Sequence, residues 1–188
     1  RLTSITPPVG NKTTLSYART SRTVTRGSLP EVTAYNGFGD TTRVTLGGIA
    51  TDYTVDAFGR RTFQSNPGAA TVGTKFQYDI LGRVTLVTNA DTTTQGITYG
   101  AGTRAVRDER NKTTTYGYRA YGDPGRQFLM SVTAPLATSN ITVARNSKDL
   151  VTSVTQGGVT RSYGYNGNYY LTSVTEPETG TTTYGRDA

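Results

Sequence analysis

The stretch Tyr78-Asp79-Ile80-Leu81-Gly82-Arg83-Val84-Thr85 decides the fold of this 188-residue chain, because altered copies of it recur along the sequence. One copy is Val55-Asp56-Ala57-Phe58-Gly59-Arg60-Arg61-Thr62, and a more divergent one is Tyr35-Asn36-Gly37-Phe38-Gly39-Asp40. Near the end, 146–155 (NSKDLVTSVT) aligns with 166–175 (NGNYYLTSVT). Self-similarity at a fixed period indicates a chain built by stacking one small structural unit.

The period of the repeat is about 21 residues. The residues that open the successive copies are Tyr17, Tyr35, Tyr53, Tyr78, Tyr99, Tyr118, Val143, Tyr165 and Tyr184. Two gaps are longer than the others, and they contain the turn-forming stretches 66–70 (NPGAA) and 123–127 (DPGRQ). Both are predicted to be loop insertions, because surface loops lengthen at little entropic cost. Substitutions within 69–73 are accordingly predicted to be nearly silent.

Each copy has the pattern of a strand, a tight turn and a second strand. The strand segments, such as Thr-Ser-Val-Thr at 152–155 and 172–175, are short, β-branched and alternating in polarity. In the turn, Asp or Asn can bond the backbone two residues on, and Gly59 and Gly82 are predicted to supply a positive φ. No stretch keeps a helical apolar period. The sequence therefore predicts an all-β protein of tandem β-hairpins, with about 16 strands.

The whole chain, 1–188, is predicted to be a single array of about nine repeats that starts and ends in the middle of a repeat. A sheet cut in this way exposes strand edges with unpaired backbone groups. The isolated chain is therefore expected to associate at those edges or to depend on flanking repeats for order.

Composition excludes several functional classes. The chain has no His and no Cys, which removes Ser-His-Asp and Cys-His catalysis, His-ligated metals and disulfides. We therefore expect no enzyme activity and no cofactor. The stretch 100–105 (GAGTRA) fits a dinucleotide-binding pattern, but the residues after it return to the repeat and do not form a helix. No apolar run is long enough to span a membrane, so membrane insertion is not expected.

The net charge of +7, from 20 basic and 13 acidic residues, does not predict nucleic-acid binding. The basic residues Arg43, Arg60 and Arg83 recur singly at repeat positions, whereas phosphate tracking needs a clustered patch. Arg60 and Arg83 follow Asp56 and Asp79 by four residues, which predicts local ion pairs across the turns.

The motif Tyr-Asp-x-x-Gly-Arg-Val-Thr closely resembles the YD repeat of the RHS family. The halves Asn11-Lys12-Thr13-Thr14-x-x-Tyr17 and Asn111-Lys112-Thr113-Thr114-Thr115-Tyr116 match the remainder of that repeat, so the resemblance covers essentially the whole chain. The family includes bacterial RHS toxins, shell subunits of insecticidal toxin complexes, wall-associated proteins and teneurins. The resemblance implies a curved, spiralling antiparallel sheet that forms part of a hollow shell.

The same resemblance implies a non-catalytic role in a secreted or cell-surface bacterial protein whose shell encloses a toxin or effector. The expected partners are flanking repeats of the same chain, other copies of it and the enclosed effector domain. The segment that releases the effector in toxin members has no counterpart here. The residues that carry the repeat motif are Tyr35, Asn36, Gly39, Asp56, Gly59, Arg60, Tyr78, Asp79, Gly82, Arg83, Asn146, Tyr165, Asn166, Tyr184 and Asp187.

A cluster of aromatic and amide side chains leaves a second hypothesis open, that of a carbohydrate-binding surface protein or adhesin. Ring faces stack on sugars and amides bond hydroxyl groups, which makes glycans a further candidate partner. The candidate site consists of Tyr163, Tyr165, Asn166, Asn168, Tyr169 and Tyr170. The structural alternative is that Tyr165 packs inside while Tyr169 and Tyr170 cover a turn. An extracellular fibre of the same repeats is a third possibility.

Overall fold

A computed structural model describes residues 1–121 and 126–186. These residues form 18 β-strands and one short 3₁₀ turn, Ala137–Ser139. The predicted all-β class is therefore confirmed, and the predicted number of strands, about 16, was slightly too low. The chain divides into two compact units, Arg1–Gln95 and Gly96–Ala188. The single array of nine repeats stays a prediction. The predicted insertion at 123–127 falls largely outside the described residues, as does Asp187.

The first unit is an antiparallel meander in which each strand pairs with the next along the chain. Its strands are β1 (Ser4–Ile5), β2 (Thr13–Tyr17), β3 (Ser21–Arg26), β4 (Leu29–Tyr35), β5 (Thr41–Leu46), β6 (Ile49–Val55), β7 (Arg61–Asn66), β8 (Ala69–Tyr78) and β9 (Val84–Thr88). Consecutive pairing follows from the short connections, because a tight turn leaves its two strands side by side.

The second unit repeats this arrangement, again with each strand antiparallel to the next. Its strands are β10 (Thr94–Gly100), β11 (Thr103–Arg107), β12 (Thr113–Ala120), β13 (Gln127–Thr133), β14 (Ile141–Arg145), β15 (Val151–Gln156), β16 (Val159–Tyr165), β17 (Leu171–Glu176) and β18 (Gly180–Thr183). Over the described residues of the chain, no helix has the length and apolarity needed to cross a membrane.

The prediction that 69–73 forms a loop is wrong. The turn signal Pro67-Gly68 makes a hairpin turn, with Asn66 paired to Ala69, and the chain then continues as β8. The extra residues of this repeat, 70–72, form an irregularity within β8: the pairing passes directly from Asn66–Ala69 to Ser65–Gly73. An inserted residue can be accommodated as a β-bulge that bends one strand while pairing resumes beyond it.

Each unit buries very little. Among the described residues, only Thr33, Ser65 and Gly73 in the first unit and Val143 in the second are buried. A domain with two packed layers would bury the apolar face of each. The sheet of each unit is therefore a single layer whose two faces are both accessible, and its order depends on backbone pairing and on the turns.

The two faces of the second unit differ in side-chain size. One row of cross-strand partners contains only small residues: Gly100, Thr103, Gly117, Ser131, Thr142, Thr155 and Thr160. The adjacent row contains Tyr99, Arg104, Tyr116, Val132, Ile141, Gln156 and Val159. Because successive residues of a strand point to opposite faces, one face is small and hydroxyl-rich and the other is bulky.

Candidate functional site

The Asp79 turn shows how the repeat motif works. The Asp79 carboxylate accepts hydrogen bonds from the backbone N–H groups of Leu81 and Arg83, both at 2.9 Å. Its second oxygen accepts from the Arg83 guanidinium at 2.7 Å. The backbone closes the turn, since Asp79 N–H donates to the Arg83 carbonyl and Gly82 N–H to the Asp79 carbonyl. Gly82 has φ +77°, so the predicted positive φ is confirmed.

Seven five-residue turns within the described residues share this backbone pattern, in which residue 1 donates to residue 5 and residue 4 donates back to residue 1. They begin at Asn36, Asp56, Asp79, Asn89, Asp108, Asn146 and Asn166. In at least six of them the side-chain oxygen of residue 1 accepts N–H groups from residues 3 and 5, as at Asp56 with Phe58 and Arg60. Asp and Asn serve equally, because only one oxygen is required.

Position 4 of these turns always lies in the left-handed region. Gly occupies it in three turns, at Gly39, Gly59 and Gly82. Thr92, Asn111, Asp149 and Tyr169 occupy it in the other four, with φ between 60° and 71°. These residues carry a backbone cost that Gly avoids, and the cost is largest for β-branched Thr. Their residue types give no sign of this conformation, and the available signal in the sequence is their spacing of three residues after Asn or Asp.

The turn hydrogen bonds hold three carboxyl pKa values below the usual Asp range. At Asp79 the backbone N–H of Arg83 is the main cause, and it outweighs desolvation with help from the Arg83 guanidinium. At Asp56 desolvation raises the pKa, but the N–H and guanidinium of Arg60 and the N–H of Phe58 together lower it. At Asp91 the hydroxyl and N–H of Thr93 lower the pKa. Each carboxylate is thus favoured in its charged form by donors within its own turn.

Arg60 links two successive turns of the first unit. The predicted local ion pair is present, with Arg60 Nε 2.7 Å from Asp56 Oδ2. The same guanidinium also donates to the Asp79 carbonyl at 3.2 Å and lies 4.8 Å from the centre of the Tyr78 ring. It therefore connects its own turn to the next one along the sheet edge. The sequence pattern predicts only the local pair, because the second contact depends on which turns lie side by side.

A second cross-link, also missed, lies in the second unit at position 4 of the Asn146 turn. The Asp149 carboxylate accepts hydrogen bonds from the Arg119 guanidinium and, at 3.2 Å, from the Tyr121 hydroxyl. Its backbone carbonyl accepts from Arg145 at 2.7 Å. An Asp in this strained position thus connects strand β12 to a turn 30 residues further along the chain.

The structure separates the predicted aromatic cluster into two parts. Tyr163 and Tyr165 are half-buried in β16, and the Tyr165 hydroxyl donates to the Val151 carbonyl at 2.8 Å. Tyr169 and Tyr170 occupy positions 4 and 5 of the turn that begins at Asn166, and are 51% and 56% exposed. Cations lie over both exposed rings: Lys148 over Tyr169 at 5.4 Å and Arg186 over Tyr170 at 5.3 Å.

The amide groups of this cluster are partly committed to the turn. The Asn166 side-chain oxygen accepts the backbone N–H groups of Asn168 and Tyr170, both at 3.0 Å. Binding of sugar hydroxyls by that oxygen would compete with the turn. Tyr165 is half-buried, and the turn keeps the rings of Tyr169 and Tyr170 accessible, so sugar binding at this cluster stays a prediction.

The remaining motif residues have structural positions. Tyr35 and Tyr78 end β4 and β8, and Asn36 and Asn146 are position 1 of their turns. Tyr184 follows β18, and its N–H donates to the Thr172 carbonyl at 2.8 Å. The 100–105 segment forms the hairpin turn between β10 and β11 instead of opening a helix. Within 1–121 and 126–186, no group of three or more acidic, His or Cys residues is arranged to hold a metal.

Comparisons with known proteins identify the fold. No protein-family model and no curated protein matches the sequence. Among solved structures, the Tc holotoxin pore of Photorhabdus luminescens is similar over 93% of this chain, with a TM-score of 0.65 and 12% identity. The TcdB2–TccC3–Cdc42 crystal structure is similar over 93%, with a TM-score of 0.66 and 13% identity. The TcdB2–TccC3–TEV crystal structure is similar over 97%, with a TM-score of 0.62 and 14% identity.

This chain spans about 12% of the length of each of those proteins. At such low identity the comparison establishes the fold and does not transfer an activity. The neighbours are RHS shell structures of Tc toxins, which is the architecture implied by the Tyr-Asp-x-x-Gly-Arg repeat. The predicted fold is therefore confirmed: the chain has the antiparallel YD-repeat fold of the RHS shells.

Proposed function

We propose that this chain is a non-catalytic wall segment of a secreted bacterial RHS/YD-repeat protein, and that the wall encloses a toxin or effector. The observation that carries the proposal is the single-layer sheet, which leaves both faces accessible in each unit. A wall needs one surface towards its contents and one towards solvent, whereas a compact enzyme domain buries one face of each layer.

The side-chain pattern supports this role. In the second unit the small, hydroxyl-rich row and the bulky row lie on opposite faces, so the two sides of the sheet are chemically distinct. The turns are closed by their own side-chain and backbone hydrogen bonds, which do not depend on a core. Similarity to the Tc toxin shells over 93–97% of the chain agrees with the same role.

Protease protection of the native protein that carries this segment tests the proposal. We expect the sequence downstream of the array to resist protease in the native state, and to be cleaved once the sheet is loosened by Gly73→Val. Gly37→Ala, at an exposed turn position with open space around it, is the matched control and should keep the contents protected. Contents cleaved equally in the unmodified protein would contradict encapsulation.

Carbohydrate binding by a surface protein is the second candidate, and the exposure of Tyr169 and Tyr170 favours it. Two accessible rings can stack on the apolar face of a pyranose. A glycan array probed with the unmodified chain and with Tyr169→Ser/Tyr170→Ser tests it. Signal that is lost in the double variant supports binding at this turn, and signal equal to that of an unrelated β-protein rejects it.

A further inference from the structure

An open groove of about 290 Å³ in the first unit collects basic side chains, and we call it the arginine groove. Three arginines and two tyrosines line it, together with small residues: Arg1, Arg19, Arg22, Tyr17 and Tyr35. None of the described residues that line the groove is acidic. A cleft whose charges are all of one sign concentrates ions of the opposite sign, so this groove attracts anions.

The turn between β2 and β3 brings two of the arginines to the groove. It is closed by the Ala18 N–H, which donates to the Ser21 carbonyl at 2.8 Å. Arg19 lies within this turn, and Arg22 follows it at the start of β3, where it pairs with Tyr17 of β2. The short connection therefore places both guanidinium groups at the same end of the strand pair.

Two aromatic rings and a third arginine complete the groove. Tyr35, at the end of β4, lies beside the turn because its N–H donates to the Thr20 carbonyl at 2.8 Å. The guanidinium carbon of Arg1 lies 5.2 Å from the centre of the Tyr17 ring. The groove is thus built from separate segments of the chain, and local sequence pattern gives no sign that its three arginines meet.

The three guanidinium groups of the groove are not neutralised by the protein. Over 1–121 and 126–186, none of them has a carboxylate oxygen within 4 Å. Glu31 on the neighbouring strand β4 and Asp40 in the turn after it form no ion pair with them. Five other arginines do pair with a carboxylate: Arg43, Arg60, Arg83, Arg119 and Arg161.

Arg22 is the least satisfied of the three. Its Nε is buried and has no hydrogen-bond partner in the described part of the chain. An unpaired buried donor raises the free energy of the folded state, more so when the group is charged. Like charges around one groove add their mutual repulsion. An anion held by the Arg22 guanidinium would neutralise its charge and offset both costs.

We propose that the arginine groove binds a dianionic phosphate group, either as inorganic phosphate or as a phosphate monoester. Each guanidinium presents paired N–H donors that match two phosphate oxygens. Three such groups suit a ligand with two negative charges and three terminal oxygens. A carboxylate or a phosphodiester carries one charge and two such oxygens, so it leaves the groove only partly neutralised. This binding site is separate from the proposed wall function.

The tyrosines allow the groove to recognise more than the phosphate itself. Their hydroxyl groups can donate hydrogen bonds to a phosphate oxygen. Tyr17 is 37% exposed, so its ring is accessible to the organic part of a monoester. The source of the phosphate therefore decides whether a ring contact adds to the affinity.

Isothermal titration calorimetry of the 188-residue chain, at about pH 8 where a phosphate monoester is dianionic, tests the proposal. The probes are inorganic phosphate, phenyl phosphate and the diester dimethyl phosphate. We expect saturable binding of the first two with a dissociation constant of about 1 mM or below, and no saturable binding of the diester. Tighter binding of phenyl phosphate identifies a monoester as the ligand, whereas equal or tighter binding of inorganic phosphate identifies the free anion.

Charge-matched variants locate the site. Arg19→Gln/Arg22→Gln should raise the dissociation constant at least about tenfold. Arg104→Gln/Arg110→Gln removes the same charge from exposed positions of the second unit and should change it by less than about twofold, because salt screens distant charges. Arg19→Gln alone, at an exposed turn position, should weaken binding while the circular dichroism spectrum stays unchanged.

Nuclear magnetic resonance of the arginine Nε–H groups gives a direct readout. The Arg22 Nε–H is buried and should exchange slowly with water, so its signal should be visible and should disappear in Arg22→Gln. Phosphate should shift this signal and leave that of Arg60, which is bonded to Asp56, in place. Absence of saturable binding, equal affinity in the Arg19/Arg22 variant, equal binding of dimethyl phosphate, or equal shifts of the two signals would overturn the proposal.

Discussion

Substitution of Gly73 by Ala should damage the first unit although the position carries no functional group. Gly73 is buried in β8, opposite Ser65 of β7. A Cβ added there would lie 2.1 Å from the Gln64 carbonyl oxygen and 2.6 Å from Ser65 Cα. Both of these atoms belong to backbone, so no side-chain rotation relieves the clash.

The cost follows from the distance that β7 and β8 must separate. Ordinary contact between carbon and its neighbours is about 3.5 Å, so the strands must open by more than about 1 Å. That displacement takes the nearby ladder hydrogen bonds beyond useful length, and each contributes about 0.5–1.5 kcal/mol. Loss of two or three gives about 2–4 kcal/mol, or a fall in melting temperature of roughly 5–15 °C for a chain of this size.

Thermal unfolding, followed by circular dichroism, measures the effect, with Gly37→Ala as the matched control. Gly37 has open space around its would-be Cβ and no positive φ, so its substitution should change the melting temperature by at most about 2 °C. Hydrogen exchange should also accelerate at the β7 and β8 amides in the Gly73 variant. Equal melting temperatures for the two variants would refute the close pairing of Gly73 with Ser65.

Three other changes test the turns. Thr92→Gly should stabilise the chain by about 0.5–1 kcal/mol in urea unfolding, because the relief of left-handed strain outweighs the greater chain entropy that Gly loses on folding. A destabilised variant would contradict the strain. Asp79→Asn should flatten the acid side of the stability profile. Because the pKa of Asp79 is lowered in the folded state, its carboxylate stabilises the fold at pH values above the unfolded-state pKa of about 3.9. This stabilisation is lost as the pH falls through the folded-state pKa, and the Asn variant lacks it because Asn does not titrate. An unchanged acid profile would contradict this role. Arg60→Lys should cost about 1–2 kcal/mol, because an ammonium cannot bond both turns, whereas Arg110→Lys at an exposed tip should be silent.

The repeat itself was predictable because its chemistry is local. Asp79 and Gly82 lie three residues apart, and a side-chain acceptor followed by a positive-φ residue is a turn whatever surrounds it. The same reasoning located Gly59 and the Arg60 ion pair. It failed at Tyr169, where the positive φ is imposed by the turn hydrogen bonds on a residue whose identity gives no sign of it.

Features that depend on pairing between strands could not be predicted from local pattern. The stretch 69–73 follows a Pro-Gly turn signal and resembles a loop, but register with β7 extends the strand and places Gly73 in its tightest contact. The Asp149–Arg119 link joins residues 30 positions apart and depends on which strand edges meet. Sequence periodicity identifies the unit, and only the register between units shows which side chains meet.

A sheet without a core has an unusual distribution of stability. Because few residues are buried, truncation of a single side chain removes little buried apolar surface. Substitutions with a large effect on the free energy of unfolding should therefore lie at positions that fix the backbone conformation. Those positions are 1 and 4 of each five-residue turn and the cross-strand glycines, such as Gly73. Position 3 is free of this constraint, and in the first unit it carries Phe38 and Phe58. The residues that hold the sheet together are thus separate from those available for contact with other molecules, which lets the surface vary while the fold is kept.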